Sequence, residues 1–396
     1  MRIRYERMSS SPFAFYRGAA SLMASDLQST PSSGIRTQIC GDAHLLNFGA
    51  YASPERRFVF DVNDFDETIA GGVWEWDLKR LVTSLEVAGR HLNHKRRQVE
   101  SAARAAAQSY REHVAAYARM PVLDVWYARL DERMLARAVR SAEVRARAKA
   151  RDAHVEVHGA DASYPGLERD PSGALRFKAH PPLIFRPDDV EDFVASVRET
   201  FERYRRSLPI ERRALFDRFR FLDAAYKVVG VGSVGTRCLV GLFLGSDGGP
   251  LVLQLKEARA SVYAPYLHES TFHDQGERVV VGQRLMQAVT DLFLGWTEAH
   301  DGHTFYVRQL HDRKTGADVE RMTPGALERY AVLCGWALAR AHAKASGRPA
   351  AIAAYLGRGR TFDNAVTAFA AAYADQNQRD FQALLASQTK PDPPAP

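Results

Sequence analysis

A short stretch near the N-terminus concentrates side chains that bind cations and move protons. Residues 39–67, ICGDAHLLNFGAYASPERRFVFDVNDFDE, contain one histidine, one amide and five carboxylates of interest: His44, Asn47, Asp42, Asp61, Asp64, Asp66 and Glu67. Carboxylate and amide oxygens are the ligands that a hard cation such as Mg²⁺ takes in proteins. We therefore predict a magnesium site that includes Asn47, Asp64 and Asp66.

The spacing within this stretch is typical of phosphoryl-transfer enzymes. Asp42 and Asn47 are separated by four residues, as in the kinase catalytic loop, where the aspartate is the base and the asparagine holds metal. Asp64 follows where such enzymes place a second metal-binding aspartate. We predict that Asp42 and His44 are catalytic residues. His44 would contact the acceptor or a phosphate, or it orders the loop. The simpler alternative is that Asp42 and Asp64 occupy ordinary turns.

The motifs Gly-Asp-x-His-x-x-Asn and Asp-Phe-Asp resemble those of the aminoglycoside and choline phosphotransferases, which share the protein-kinase fold. The resemblance implies that Asp42 is the catalytic base and that Asn47 and Asp64 hold Mg²⁺. It also implies that Asp77, just after the metal-binding loop, braces the catalytic loop. The alternative role for Asp77 is to cap the following helix.

Apolar runs on either side predict the elements that position these residues. Residues 37–40 and 58–62 contain β-branched and aromatic side chains bounded by Gly, Asn and Asp, which predicts short buried strands. Residues 12–27 predict a helix, with Ser11 as its cap and proline in its first turn. A second helix is predicted over residues 76–92.

A glycine-rich group lies nearly two hundred residues further along the chain. Residues 226–256 read YKVVGVGSVGTRCLVGLFLGSDGGPLVLQLK and predict strands at 237–244 and 251–255. The glycine turn G-x-G-x-x-G contains Gly230, Gly232, Ser233 and Gly235. A dinucleotide-binding turn has the same spacing but requires a helix directly afterwards, whereas a strand follows here. Strand, glycine turn, strand and lysine is the phosphate clasp of kinases.

Lys256 ends the run LVLQLK, in the position of the kinase lysine that neutralises the phosphates of ATP. We therefore expect ATP as a cofactor beside Mg²⁺, although a surface lysine at a strand end is the alternative. Glu277 lies on a helix predicted over residues 274–294 and is the candidate ion-pair partner of Lys256. Its alternative role is in a capping box. Arg237 departs from the valine usual in kinases, which affects packing of the nucleotide base.

The two motif groups occur in the reverse of the kinase order. A circular permutation reconciles them, because lobes joined through exposed linkers tolerate a new chain start. The predicted fold is α+β, a circularly permuted, two-lobed protein-kinase-like fold with a large helical portion. Its predicted parts are a catalytic- and metal-loop part (1–92), a helical part with a loop-rich insert (93–221), a small β-rich nucleotide lobe (222–312), C-terminal helices (313–388) and a disordered tail (389–396).

Composition limits the class of protein. With 46% hydrophobic and 26% charged residues, the chain is typical of a globular protein. The net charge of +7 permits an acidic partner, but the arginines are scattered on predicted helices and lack the aromatic interleaving of single-strand binders, so nucleic acid is not expected. Three widely spaced cysteines and no membrane-length apolar run predict a cytoplasmic protein.

The whole chain, from its first residues to near its tail, resembles the uncharacterised bacterial family catalogued as domain of unknown function 2252. This resemblance implies a kinase-like fold and no established substrate. The segments that carry it are RYERMSSSPFAFYRG, CGDAHLLNFGAYASPERR, DVNDFDET, WEWDLKRL, GQRLMQ, FYVRQL and AYADQNQRDF.

These observations favour an ATP- and Mg²⁺-dependent phosphotransferase that acts on a hydroxyl of a small molecule. Protein nucleotidylyl transfer is an alternative, since the same clasp can hold ATP in either orientation. A metal-dependent hydrolase using Asp42, His44, Asp61 and Asp64 is a second alternative, and it does not require Lys256. A non-catalytic nucleotide- or nucleic-acid-binding protein is a third.

Overall fold

The computed structural model describes residues 2–132, 134, 166–228, 236–267, 272–310 and 315–388. These residues form helices and several antiparallel sheets, so the predicted α+β class is confirmed. The helices are α1 (Arg2–Met8), α2 (Pro12–Gly18), α3 (Ala20–Leu27), α4 (Trp74–His91), α5 (Arg96–Tyr117), α6 (Val122–Tyr127), α7 (Val190–Tyr204), α8 (Ile210–Phe216), α9 (Gln275–Met286), α10 (Pro324–Ser346), α11 (Pro349–Leu356) and α12 (Thr361–Gln388).

The strands are mostly short outside one large sheet. They are β1 (Arg36–Ile39), β2 (Phe48–Ala52), β3 (Phe58–Val62), β4 (Ile69–Val73), β5 (Leu130–Asp131), β6 (Leu167–Arg169), β7 (Leu175–Phe177), β8 (Ile184–Phe185), β9 (Phe219–Lys227), β10 (Cys238–Gly245), β11 (Pro250–Glu257), β12 (Gly295–Glu298), β13 (Thr304–Gln309) and β14 (Thr315–Gly316).

The largest sheet has six antiparallel strands in the order β12-β13-β11-β10-β9-β8. Because successive side chains of a strand point to opposite faces, β11 and β13 each present one apolar and one polar row. The apolar row packs against Val197, Phe201 and Tyr204 of α7 and consists of Leu253, Leu255, Phe305 and Val307. The core of this sheet therefore draws on residues before 222 as well as after.

The polar row of the same two strands lies on the opposite face. Register pairs Lys256 with Tyr306 and Gln254 with Arg308, so all four side chains are neighbours. A lysine and an arginine on a half-buried sheet face need an acidic partner nearby, since a buried charge is costly unless paired. This face is the part of the sheet that meets the candidate site.

The other large part of the fold is a set of helices around α5 and α10. The alanine-rich face of α5 is fully buried, with Ala102, Ala103, Ala106 and Ala107 at 0% exposure. Small side chains let α10 approach closely, and a Cβ added at Gly335 would overlap the Ala106 carbonyl oxygen. α10 ends at Gly347, which has the left-handed backbone conformation that favours glycine.

Two small sheets connect the helices to the candidate site. β1 pairs with β4, while β2 and β3 are the central strands of the order β14-β2-β3-β5. The loop after β1 and the loop after β3 carry the acidic residues singled out in the sequence. The predicted strand at 58–62 is confirmed, and the one at 37–40 begins one residue earlier.

Some predicted elements differ from those observed. The helix predicted over 12–27 is two helices, because the chain turns at Ala19; Ser11 caps the first of them by accepting the Ala14 N–H. The helix predicted from 274 ends at Met286, before 294, because side chains of α10 bind its terminal carbonyls. Helical structure predicted up to 221 gives way to β9 at Phe219, which pairs with β10.

Several predictions concern residues outside the described ranges. These include the glycine turn and the predicted tail at 389–396. Within the described ranges, no helix has both the length and the apolar character of a membrane span.

Candidate functional site

The loop after β1 is held in place by a buried carboxylate. Asp77 lies in the first turn of α4 and accepts hydrogen bonds from the backbone N–H groups of Cys40 (2.8 Å) and Gly41 (2.9 Å). The cap of α4 is Val73, so Asp77 is not the helix N-cap. Gly41 has a φ of +85°, and a Cβ there would overlap the Glu67 carbonyl oxygen. The two acidic loops are therefore in direct contact.

Asp77 also belongs to a buried chain of polar side chains. His342 of α10 lies 3.1 Å from the Asp77 carboxylate through Nε2. Its Nδ1 lies 2.8 Å from the Tyr110 hydroxyl on α5. All three side chains are fully buried. The turn that precedes Asp42 is thus braced from the helical core, and His342 was not identified as part of this brace from the sequence.

Asp42 is paired with a buried arginine. Arg80 donates from Nε to Asp42 Oδ1 at 2.8 Å and from Nη2 to the Tyr16 carbonyl at 2.9 Å. The guanidinium also stacks 4.1 Å from the Tyr16 ring centroid. Arg80 has no solvent exposure, whereas 19% of the Asp42 side chain remains exposed. Arg80 therefore fixes one oxygen of a carboxylate that is still partly exposed to solvent.

His44 is a neutral histidine beside Asp42. Its Nε2 lies 3.8 Å from Asp42 Oδ2. Burial lowers the pKa of His44 to about 4, with Asp42 and Asp64 acting in the opposite direction. Its Nδ1 is buried and has no hydrogen-bond partner among the described residues. His44 is therefore placed against Asp42 within the same loop, and its catalytic role stays a prediction.

Asn47 closes the same loop. It ends a short 3₁₀ turn, Leu45–Asn47, and its Nδ2 donates to the Asp42 carbonyl at 2.8 Å. The His44 backbone N–H donates to the same carbonyl at 2.9 Å. The Asn47 amide nitrogen is thereby committed to the loop, and Oδ1 is the side-chain atom that remains for a cation.

Lys256 meets the second acidic loop, 190 residues away in the chain. Its Nζ donates to Asp66 Oδ2 and lies 3.9 Å from Asp64 Oδ2. The Tyr306 hydroxyl donates to the other oxygen of Asp66 at 2.8 Å. Although burial disfavours the charged form, Asp64 and Asp66 raise the pKa of Lys256 well above its ordinary value. Lys256 therefore lies beside the predicted metal residues Asp64 and Asp66. The region bounded by the Asp42 loop, the Asp64–Asp66 loop and the polar face of β11 and β13 is called the cleft below.

Arg308 is a second cation at this cleft that sequence analysis missed. It follows Tyr306 by two residues in FYVRQL, so strand alternation places both side chains on the polar face. Its Nε donates to Gln254 Oε1 at 3.0 Å. Burial disfavours its charge, but Tyr306, Asp64 and Asp66 raise its pKa. The alternation in this run was the available signal.

Glu277 occupies the first turn of α9, where its backbone N–H donates to Asp274 Oδ1 at 3.1 Å. Among the described residues, the ion pairs of Lys256 are with Asp64 and Asp66, and none joins it to Glu277. The next residue, Arg278, is the one that reaches the acidic loop. It donates to the Asp66 carbonyl at 2.9 Å, to the Arg259 carbonyl at 2.7 Å and to the Thr68 carbonyl.

Asp61 lies apart from the cleft. It is fully buried, and both of its oxygens lie 2.8 Å from Arg340 Nη2. It also accepts the backbone N–H of Ala288 at 2.8 Å. A carboxylate with these partners is structural, which removes one of the residues that the hydrolase alternative required.

The donor set of the cleft fits magnesium with one condition. Within the described ranges, no three His, Cys, Asp or Glu side chains lie close enough to form a metal centre by themselves. The predicted ligands Asn47, Asp64 and Asp66 would supply an all-oxygen set, which is the kind that Mg²⁺ takes. A cation on Asp66 also requires Lys256 to give up its present contact with that carboxylate.

The remaining predicted phosphate-binding residues cannot be placed. Gly230, Gly232, Ser233 and Gly235 lie outside the described residues. The described chain resumes at Thr236 and enters β10 at Cys238, directly opposite Lys256 in the register.

Comparison with known proteins identifies a bacterial family. No curated protein and no solved structure shows a significant match to the chain. The profile of the family described as uncharacterized proteins conserved in bacteria (DUF2252) matches residues 1–387. The resemblance to this bacterial family is thus confirmed over almost the full length of 396 residues. The chain belongs to the DUF2252 family of uncharacterized bacterial proteins.

Proposed function

We propose that the protein is an ATP- and Mg²⁺-dependent phosphotransferase that acts on a hydroxyl group of a small molecule. The observation that carries this proposal is the contact of Lys256 with Asp66, close to Asp64, in an acidic loop that also contacts the Asp42 loop. A lysine on a sheet facing two acidic loops is the arrangement that kinases use to hold ATP and its metal.

The proposal includes a kinase-like fold with a permuted chain order. The six-stranded sheet would be the nucleotide lobe, and the helices with the two acidic loops would form the other lobe. The motif order of the sequence requires the permutation, because the acidic loops precede the sheet in the chain.

Each residue has a separate role in the proposed reaction. Asp42, held by Arg80, orients the acceptor hydroxyl and takes its proton. Lys256 exchanges the Asp66 carboxylate for phosphate oxygens of the nucleotide, and Arg308 adds a second positive charge at the same face. Asn47, Asp64 and Asp66 would hold Mg²⁺, which when bound neutralises charge on the transferred phosphate. Catalysis comes mainly from positioning and electrostatics.

The first test is the thermal stability of the protein with and without Mg-ATP. A ligand that binds only the folded state stabilises it by about 2.7 kcal/mol at a concentration of one hundred times Kd. We expect Mg-ATP to raise the melting temperature of the wild type, and Lys256→Ala and Asp64→Asn each to lose most of that increase. Lys178→Ala is the matched control, because Lys178 is exposed beyond β7.

An equal Mg-ATP response in all four proteins, or no response of the wild type, contradicts the proposal.

A second experiment identifies the transferred group from the mass added to an acceptor, since phosphate and AMP differ in mass. Addition of AMP would assign nucleotidylyl transfer to the same residues.

A further inference from the structure

A surface pocket lies among the N-terminal helices, next to the C-terminal end of α4. It has a volume of about 590 Å³ and is lined by the N-terminal helices together with His91 and Glu320. Small-molecule sites have volumes of roughly 300–1,000 Å³, so a metabolite-sized acceptor fits. Phe13 supplies an aromatic wall, stacked against His91 with ring centroids 5.8 Å apart.

Arg17 is the charged group of this pocket that makes no hydrogen bond or ion pair with another described residue. Glu320 is paired with His91 at 3.0 Å, while Glu6 and Arg7 each have an interaction within the chain. Arg17 packs its guanidinium 6.0 Å from the Phe13 ring centroid. Its Nε is buried without a hydrogen-bond partner among the described residues. A half-buried guanidinium with an unsatisfied hydrogen-bond donor favours an anionic ligand group.

Helix α2, which carries Arg17, is joined to the candidate base by Arg80. Arg80 donates to the carbonyl of Tyr16, the residue before Arg17, at 2.9 Å and to Asp42 Oδ1 at 2.8 Å. His44 Nε2 lies 3.8 Å from the other oxygen of Asp42. A ligand that extends from the pocket toward this loop would place one end at Arg17 and a hydroxyl near His44 and Asp42.

We infer that this pocket binds the acceptor, and that the acceptor is a small hydroxyl compound bearing a carboxylate or phosphate group recognised by Arg17. This inference rests on the proposed phosphotransferase function and specifies its substrate class. Arginine suits the task because its planar fork matches both carboxylate and phosphate oxygens.

The test is isothermal titration with three probes that share a carbon skeleton: glycerol 3-phosphate, glycerate and uncharged glycerol. We expect the wild type to bind at least one anion roughly tenfold more tightly than glycerol, as one charged hydrogen bond provides. Arg17→Gln should remove that difference, and Arg17→Lys should keep part of it. Arg321→Gln is the control, because Arg321 follows Glu320 but its side chain is 82% exposed.

Anion binding that survives Arg17→Gln, or a wild type that binds neither anion better than glycerol, overturns the inference. The melting temperature of each variant without ligand shows that it is folded. Comparison of these anion titrations with the thermal stability measured with Mg-ATP separates the two proposals. Anion binding through Arg17 without any Mg-ATP response would refute the phosphotransferase, whereas a Mg-ATP response without anion binding would refute only this acceptor class.

Discussion

Glu67, in the second acidic loop, has a pKa that its surroundings shift strongly. Burial raises its pKa from 4.5 to about 7, and the neighbouring charges of Asp66 and Asp42 act in the same direction. The Val262 N–H donates to its Oε2 at 2.7 Å and opposes the shift. The folded protein therefore holds a proton on Glu67 that the unfolded chain releases between about pH 4.5 and 7.

This raised pKa predicts a specific pH dependence of stability. The stabilisation from protonated Glu67 is complete below the unfolded pKa and is lost as the pH rises through about 7. Glu67→Gln keeps an acceptor but cannot ionise, so its stability should improve relative to wild type between pH 5 and 8. The relative gain should be at most on the order of 3 kcal/mol.

The measurement is urea denaturation of both proteins across that pH range. Glu328→Gln, at an exposed position of α10, serves as the control and should follow the wild-type curve. Parallel curves for wild type and Glu67→Gln would show that Glu67 is ionised throughout.

At the scale of elements, a buried ion pair joins three parts of the chain. Arg340 of α10 contacts Asp61 of β3 and the Met286 carbonyl at the end of α9. Lys344, one turn later, donates to the Gln287 carbonyl. These cations satisfy the last carbonyls of α9, which explains where that helix ends. The helix that carries Arg278 is thereby fixed at both ends.

The pair predicts strong coupling between two substitutions. Removing one partner leaves the other charge buried, which costs about 3–5 kcal/mol. Arg340→Met and Asp61→Asn should each lower the free energy of unfolding by about that amount. The double variant should recover much of the loss, because it contains no unpaired buried charge. It also removes Nε and Nη1 of Arg340, which have no hydrogen-bond partners among the described residues.

Urea denaturation of the four proteins in one double-mutant cycle measures this coupling. Additive effects of the two substitutions would mean that the ion pair does not join the elements. Asp375→Asn is a useful control, since its pair with Arg90 is 60% exposed on the aspartate side and should contribute less than about 1 kcal/mol.

At the scale of the molecule, the candidate site exists only because distant parts of the chain meet. The Asp42 and Asp64 loops come from the first 70 residues, whereas Lys256 and Arg308 come from the six-stranded sheet. Arg278 connects the two parts through the carbonyls of Thr68 and Asp66. A ligand in the cleft would therefore contact both parts together.

This arrangement predicts the pattern of amide hydrogen exchange on addition of Mg-ATP. Exchange should slow together in residues 40–47, 64–68 and 254–257, because ligand binding lowers the population of locally opened states. The β6–β7 hairpin, residues 167–177, should be unchanged and serves as the internal control. Slower exchange in only one of the three segments would contradict a shared site.

The amino-acid sequence was sufficient to identify the residues whose types and spacing suit catalysis or metal binding. It also predicted most of the local structure. The spacing of Asp42, Asn47 and Asp64 identified the acidic loops, and Lys256 was found from its strand. The β-branched and aromatic run at 58–62 and the helical pattern at 76–92 are local properties, so the strand and the helix there were predictable. The α+β class and the family followed from the same patterns.

Which of these residues contact one another depends on the tertiary structure. In the folded chain Arg278 contacts the acidic loop and Arg308 lies at the cleft. Asp61 instead forms a buried ion pair with Arg340. It also determined where α9 ends, since the carbonyls there are capped by side chains from α10. Such contacts join residues far apart in the chain, and local sequence patterns contain no information about how those residues pair in space.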